Sequence, residues 1–219
     1  MCGRMILTAD DTEMIEYFGL ASPPERSPRY NIAPTQPVLA IRSGADGHPA
    51  WAWFRWGLVP SWAKDPSDAA RRINARSETV ASVPSFRAAF RHRRCLIPVT
   101  GFYEWSGSTK HRQAWLFRLA GGGPFALAGL WERWENAAGV LETCTVLTTA
   151  ASALVGRVHD RMPVILDPAD HGRWLGKGGE DLLVPFPAER MDCIAVGPAV
   201  NRSTYDGPEC IVPAGGSFL

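Results

Sequence analysis

Strand-like segments that follow one another without intervening helices constrain this chain most. Residues 94–105, RCLIPVTGFYEW, read as strand, glycine turn, strand. AWLFRLA at 114–120, FALAGLWER at 125–133 and LETCTVLTTA at 141–150 continue the run, with turn signals at 121–123 and 136–139. Upstream, PVLAIRS and AWAWFRWGLV are rich in β-branched and aromatic residues and flank an Asp46-Gly47 turn. Strands in runs argue against a doubly wound parallel sheet, which alternates strands with long helices. The expectation is an α+β protein with a curved, mostly antiparallel, partly barrel-like sheet flanked by short helices.

The other segments fit that plan. Thr8 is expected to cap a helix over 9–18 that Gly19 stops. Pro84 is expected to open a helix over 85–92, and Asp167-Pro168 one that ends near Gly176. A last strand is expected at 191–196. Residues 22–37 read as an ordered proline-rich loop, and 60–79 as loop with short helical pieces. Trp51 and Trp53, two apart, share a strand face and read as core. At 219 residues, with no repeat and no low-complexity linker, the chain reads as one domain over 1–219.

No apolar run reaches the ~20 residues of a membrane span, and the amino terminus lacks a secretory pattern. The protein is therefore expected in the cytoplasm, without a membrane partner. Five cysteines with no Cys-x-x-Cys pair argue against a zinc ribbon, and no metal or cofactor is expected. Cys95, Cys144 and Cys193 read as buried thiols. Net charge is +1, yet only three of 23 basic residues are lysine. Arginines gather at 71, 72 and 76 and at 87, 91, 93 and 94, a local basic face that suits a polyanion.

Chemistry centres on the first residues, MCGRM. If Met1 is removed, Cys2 carries an α-amine and a thiol on adjacent carbons, both titrating near ~8. Such a terminus can attack a carbonyl as a thiol nucleophile with the amine as base. It can also capture an aldehyde as imine and close a thiazolidine. An incidental strand cysteine remains the bland alternative. Glu104, set between Tyr103 and Trp105, is either a desolvated proton carrier or a solvent-facing strand residue. His159, beside Asp160, is either an acid–base group or structural. Asn74, between arginines, either orients an amine or marks a turn. Trp62, after Pro60, suits a stacking platform for bases.

Together, MCGRM, RYNIAPTQ, RWGLVPSWAKD, NARSET, SFRAAFRHRRCLIPVTGFYEW and HDRMPVIL resemble the SOS response-associated peptidase (SRAP) family, in its order, over about residues 1–170. The resemblance implies recognition of abasic sites in single-stranded DNA by a monomer. The open aldehyde would be captured covalently on Cys2, as a thiazolidine, after removal of Met1. It assigns Cys2, Asn74, Glu104 and His159 to catalysis and Arg4, Arg76 and Arg161 to DNA. Trp62 and Trp105 are added here as DNA-facing aromatics. It also implies an autoproteolytic peptidase activity; a lyase side activity from the imine stays open, and in a bacterium the protein is expected to associate with the nucleoid. A cysteine peptidase or amidohydrolase that uses Cys2 as nucleophile is the alternative, and a non-catalytic binder of modified DNA is another.

Overall fold

The computed structural model describes residues 2–108, 111–137, 139–176 and 178–215. Met1, and Ala138 in the expected 136–139 turn, lie outside the described residues. In chain order the first elements are β1 (Met5–Leu7), α1 (Asp11–Phe18), β2 (Arg29–Ile32), β3 (Pro37–Ser43), β4 (Pro49–Trp56) and β5 (Asn74–Arg76). Then come α2 (Arg87–His92), β6 (Arg94–Val99), β7 (Gly101–Ser108), β8 (His111–Leu119), β9 (Phe125–Asn136) and β10 (Gly139–Ala150). β11 (Arg161–Pro163), β12 (Ile165–Leu166), α3 (His171–Leu175) and β13 (Met191–Val196) complete the order.

The ladder β10–β4–β3–β6–β9 returns to β10 and closes a five-stranded barrel. Four of its pairings are antiparallel, and β10–β4 is parallel, Thr143 facing Arg55. β11 and β12 extend the sheet beside β10 and β9, and β5 runs parallel to β10. A second sheet has the order β13–β8–β7–β1–β2, antiparallel throughout. The curved, mostly antiparallel core expected from the strand runs is the architecture observed.

Burial explains the sequence of β6. All six residues are buried, because one face looks into the barrel and the other is covered by α2 and α3. A strand covered on both faces reads as a continuous apolar run rather than an alternation. Closure needs glycine at 129: a Cβ there would come 2.8 Å from Cys95 Sγ and 2.9 Å from Ile97 Cδ1. Gly57 ends β4 at φ +125°, and a Cβ would lie 2.7 Å from the Ala69 carbonyl oxygen.

Several local expectations are corrected. Asp10, not Thr8, caps α1: its carboxylate accepts the Glu13 N–H while Glu13 accepts the Asp10 N–H, a capping box. The Thr8 hydroxyl lies 3.1 Å from Thr100 Oγ1 instead. α2 begins at Arg87, because Phe86 and Arg87 close turns onto the Val83 carbonyl first. Trp53 is 43% exposed rather than core. The face it shares with Trp51 is covered by Phe18 and by the Ala21 carbonyl, which accepts Trp51 Nε1 at 2.8 Å, and that cover stops short of Trp53. Cys193 is half-buried, whereas Cys95 and Cys144 are fully buried. Among the described residues no helix is long and apolar enough to cross a membrane.

Candidate functional site at the amino terminus

β1 is paired on both edges, with β2 and β7, and this carries the start of the chain into the core. Cys2 is fully buried. Beyond the last registered pair, Met5 with Phe102, the Tyr103 N–H still donates to the Arg4 carbonyl at 3.0 Å. The next residue on β7 is Glu104, 4% exposed. From β5, Asn74 Nδ2 donates to the Cys2 carbonyl at 2.8 Å. Asn74 Oδ1 is buried and has no partner among the described residues.

Burial dominates the electrostatics. It pushes the Cys2 thiol well above its ordinary value; Glu104 adds to the rise, and the charge of the chain terminus and the Arg4 N–H oppose it. Burial likewise raises Glu104, against the terminal charge and His159. Glu104 therefore acts on Cys2 and His159 on Glu104, although the three start far apart in sequence. His159 follows a single 3-10 turn, its N–H donating to Val155 O at 2.9 Å. Its Nδ1 accepts the Arg161 N–H at 3.0 Å and lies 2.9 Å from Asp160 Oδ1. The two contacts ask opposite things of Nδ1, a lone pair for the Arg161 N–H and a proton for the Asp160 carboxylate.

The DNA-facing candidates divide. Arg76 is exposed, and strand alternation puts it on the Asn74 side of β5, opposite buried Ala75. No ion pair to Arg76 occurs among the described residues. Arg161 is engaged: its fork grips Glu78, with Nη1 to Oε1 at 2.5 Å and Nη2 to Oε2 at 2.9 Å, and Nη2 reaches Thr148 O at 2.6 Å. Arg4 turns toward the carboxy-terminal segment, Nη1 donating to Asn31 Oδ1 at 2.6 Å and Val200 O at 2.7 Å. Its guanidinium also lies 5.4 Å from the Trp105 ring, and that of Arg112 lies 5.6 Å away. Trp105 is half-buried, with Nε1 on Asn201 Oδ1 at 2.7 Å. Trp62 is 64% exposed, as a stacking platform would be.

Three supporting residues were given no role in the sequence reading. Asn31 and Asp206 tie β2 to the carboxy-terminal segment, Asp206 through the Tyr30 and Asn31 amides and Arg29. Glu78 holds Arg161. Asn31 and Glu78 fall inside the quoted motifs RYNIAPTQ and NARSET, but neither motif says which partner each would meet. Among the described residues no three His, Cys, Asp or Glu side chains are grouped to hold a metal.

Fold and site define a class of β-barrel protein in which the first cysteine is buried against a carboxylate and an amide from distant strands. Residues 1–203 match the family described as SOS response associated peptidase (SRAP), and the chain belongs to that family. The chain is 37% identical over 222 residues to the abasic site processing protein YoqW of Bacillus subtilis, covering 96% of this chain and 99% of that one. It is 30% identical over 234 residues to the abasic site processing protein YedK of Escherichia coli, covering 97% and 100%. A crystal structure from Bacteroides thetaiotaomicron superposes with TM-score 0.86 at 24% identity, over 97% of this chain and 100% of that one, a likeness of fold.

Proposed function

We propose that this protein processes abasic sites in single-stranded DNA by capturing the open-ring aldehyde on Cys2. The observation that carries the reading is the convergence of Asn74 and Glu104, from strands distant in sequence, on the buried start of the chain. Relatives that span nearly the whole chain are named abasic site processing proteins.

The chemistry begins with hydrolysis of the Met1–Cys2 bond by the protein's own site. The closed sugar then opens: C1′–O4′ breaks as O4′ takes the Nε2 proton of the imidazolium form of His159, and the C1′ hydroxyl passes its own proton to water, leaving the C1′ aldehyde. Glu104, whose affinity for protons is raised by burial, takes a proton from the Cys2 ammonium. Asn74 Oδ1 accepts a hydrogen bond from the freed amine and aims it. The amine attacks C1′, water leaves, and an imine forms. The thiol adds across C=N, sulfur to C1′ and proton to nitrogen, closing a thiazolidine. Elimination from the same imine would cut the strand, a lyase outcome. Arg76 and Arg161 hold flanking phosphates, and Trp62 and Trp105 meet bases. A monomer suffices, and its place of work is wherever the cell's DNA lies.

The test is a denaturing gel with single-stranded DNA that carries one abasic site. Mature protein gives a heat-stable shifted band. Cys2→Ala gives none. Cys2→Ser, which keeps an amine but has no thiol, gives a species trapped only by borohydride. A wild-type band from Cys2→Ala would sink the proposal, and a shortened DNA strand reads the lyase outcome directly.

A further inference from the structure

Arg161 is held by a carboxylate in the geometry a phosphate would use. Its two terminal nitrogens meet the two oxygens of Glu78 at 2.5 and 2.9 Å. Planar, bidentate contact is how guanidinium groups read both carboxylates and phosphates. The neighbourhood brings a second arginine alongside. The Thr148 carbonyl accepts both Arg161 Nη2 at 2.6 Å and the Ser77 N–H at 2.9 Å, and Ser77 lies between exposed Arg76 and Glu78. Arg76 is the register partner of Thr148 in the β5–β10 ladder, so two arginines from separate segments border one β10 residue, and the anion on Arg161 belongs to the protein.

Glu78 suits a displaceable occupant. Its side chain is 51% exposed, against 14% for Arg161, so the carboxylate can leave while the cation stays anchored on Thr148 O. The Arg161 contact holds the Glu78 carboxyl down to about 2, so it is charged whenever DNA is present. Glu78 borders an open cleft of about 300 Å³, with Ser77, Ala81 and Phe90 among its lining, so its side chain is not packed in place.

We infer that Glu78 stands in for a DNA phosphate on Arg161 and lowers the protein's affinity for intact strands. This rests on the DNA-binding reading above. Reversible binding that lesion and intact DNA share adds nothing to discrimination between them, and on intact strands it only ties the protein up. Internal competition at Arg161 weakens that shared part, and the covalent bond alone holds the lesion.

The experiment measures reversible binding to an intact single strand and to one carrying a tetrahydrofuran abasic analogue, across a salt series. Glu78→Gln and Glu78→Ala are compared in the wild-type and Arg161→Gln backgrounds. Both Glu78 variants should bind each strand tighter, by about five-fold at low salt. Their log–log salt slope should steepen by about 0.7, one further phosphate contact on a single strand. Both gains should vanish when Arg161 is glutamine. Equal or weaker binding would mean that Glu78 merely props Arg161. Tightening that survives in Arg161→Gln would mean that only net charge had changed. Either result overturns the inference. The wild-type crosslinking gel run beside it separates the two ideas: loss of that band defeats the Cys2 reading, whereas a normal band with unmoved affinity defeats Glu78 alone.

Discussion

Replacing Asn31 by alanine should destabilise the protein more than any other polar-to-alanine change near the site. Asn31 is fully buried. Its amide hydrogens serve three carbonyls, Val200 at 3.2 Å, Arg202 at 3.0 Å and Tyr205 at 2.6 Å. Its oxygen accepts Arg4 Nη1 at 2.6 Å. Two hydrogens cannot fully satisfy three acceptors, so they count as two neutral bonds of ~1 kcal/mol each. The bond from the guanidinium is charge-assisted and contributes ~2 kcal/mol. The expected loss is therefore about 4 kcal/mol. At ~3 °C per kcal/mol for a chain of this size, Tm should fall by about 12 °C. Urea and thermal unfolding followed by tryptophan fluorescence read it. Asn31→Asp is the control: it keeps an acceptor for Arg4 but turns an oxygen toward three carbonyls, so it should lose a comparable amount. A loss below ~1 kcal/mol in Asn31→Ala would refute the reasoning, because water would then be replacing the amide.

Three further outcomes are expected. Asn74→Ala should slow crosslinking about ten-fold, the worth of one buried hydrogen bond, with the pH profile unmoved; single-turnover rates across pH check this. Glu104→Gln should lose capture yet gain stability at neutral pH. Burial raises the folded Glu104 pKa above its unfolded value, so the wild-type fold loses stability as pH climbs through that interval; urea midpoints of the two proteins should converge below about pH 4. His171 titrates in the opposite sense. It is buried, stacked on Phe18 at 5.5 Å, with Nε2 unpartnered among the described residues; burial lowers its pKa despite the Leu166 carbonyl, Asp167 and Asp170. Stability should therefore drop as pH falls below ~6.5, and His171→Gln should remove that slope, read as Tm against pH.

What was legible in the sequence was whatever depends on local pattern. The strand run at 94–150 announced the sheet, whereas the cover on both faces of β6 emerged only with the packing of α2 and α3. Cys2, Asn74 and Glu104 were readable because each sits in a short motif, and the fold brings them together. The parallel pairings of β10 with β4 and β5 were not readable, since no connecting helix marks them. Nor was the pairing of Glu78 with Arg161, or of Arg4 with Asn31: both partners are ordinary polar residues, and only the closed barrel and the returning carboxy-terminal segment decide who meets whom. Trp53 failed for a related reason. Period two gives the face a residue occupies, but not how far along it the cover extends.

The direction of the two shifts at the terminus argues for the order of bond formation. A thiol built to attack first is activated by cations or a helix amino terminus, which lower its pKa. Cys2 has the reverse: burial and the Glu104 carboxylate hold its proton on. A peptidase that relied on a resting thiolate would be badly served by this environment. The amine is the better served group, because Glu104 can take its proton and Asn74 Oδ1 can accept its remaining N–H. Loss of Met1 strengthens the case, since it moves the positive charge onto the nitrogen of Cys2 itself. That charge already lowers both the thiol and Glu104, and moving it onto the residue that bears the thiol should lower the thiol further. On the mechanism proposed above, removal of Met1 would do two things at once: free the amine for the imine, and ready the thiol to close the ring. A mature chain whose thiol titrates no lower than that of the Met1-bearing precursor, followed by alkylation rate against pH, would break this link between processing and reactivity.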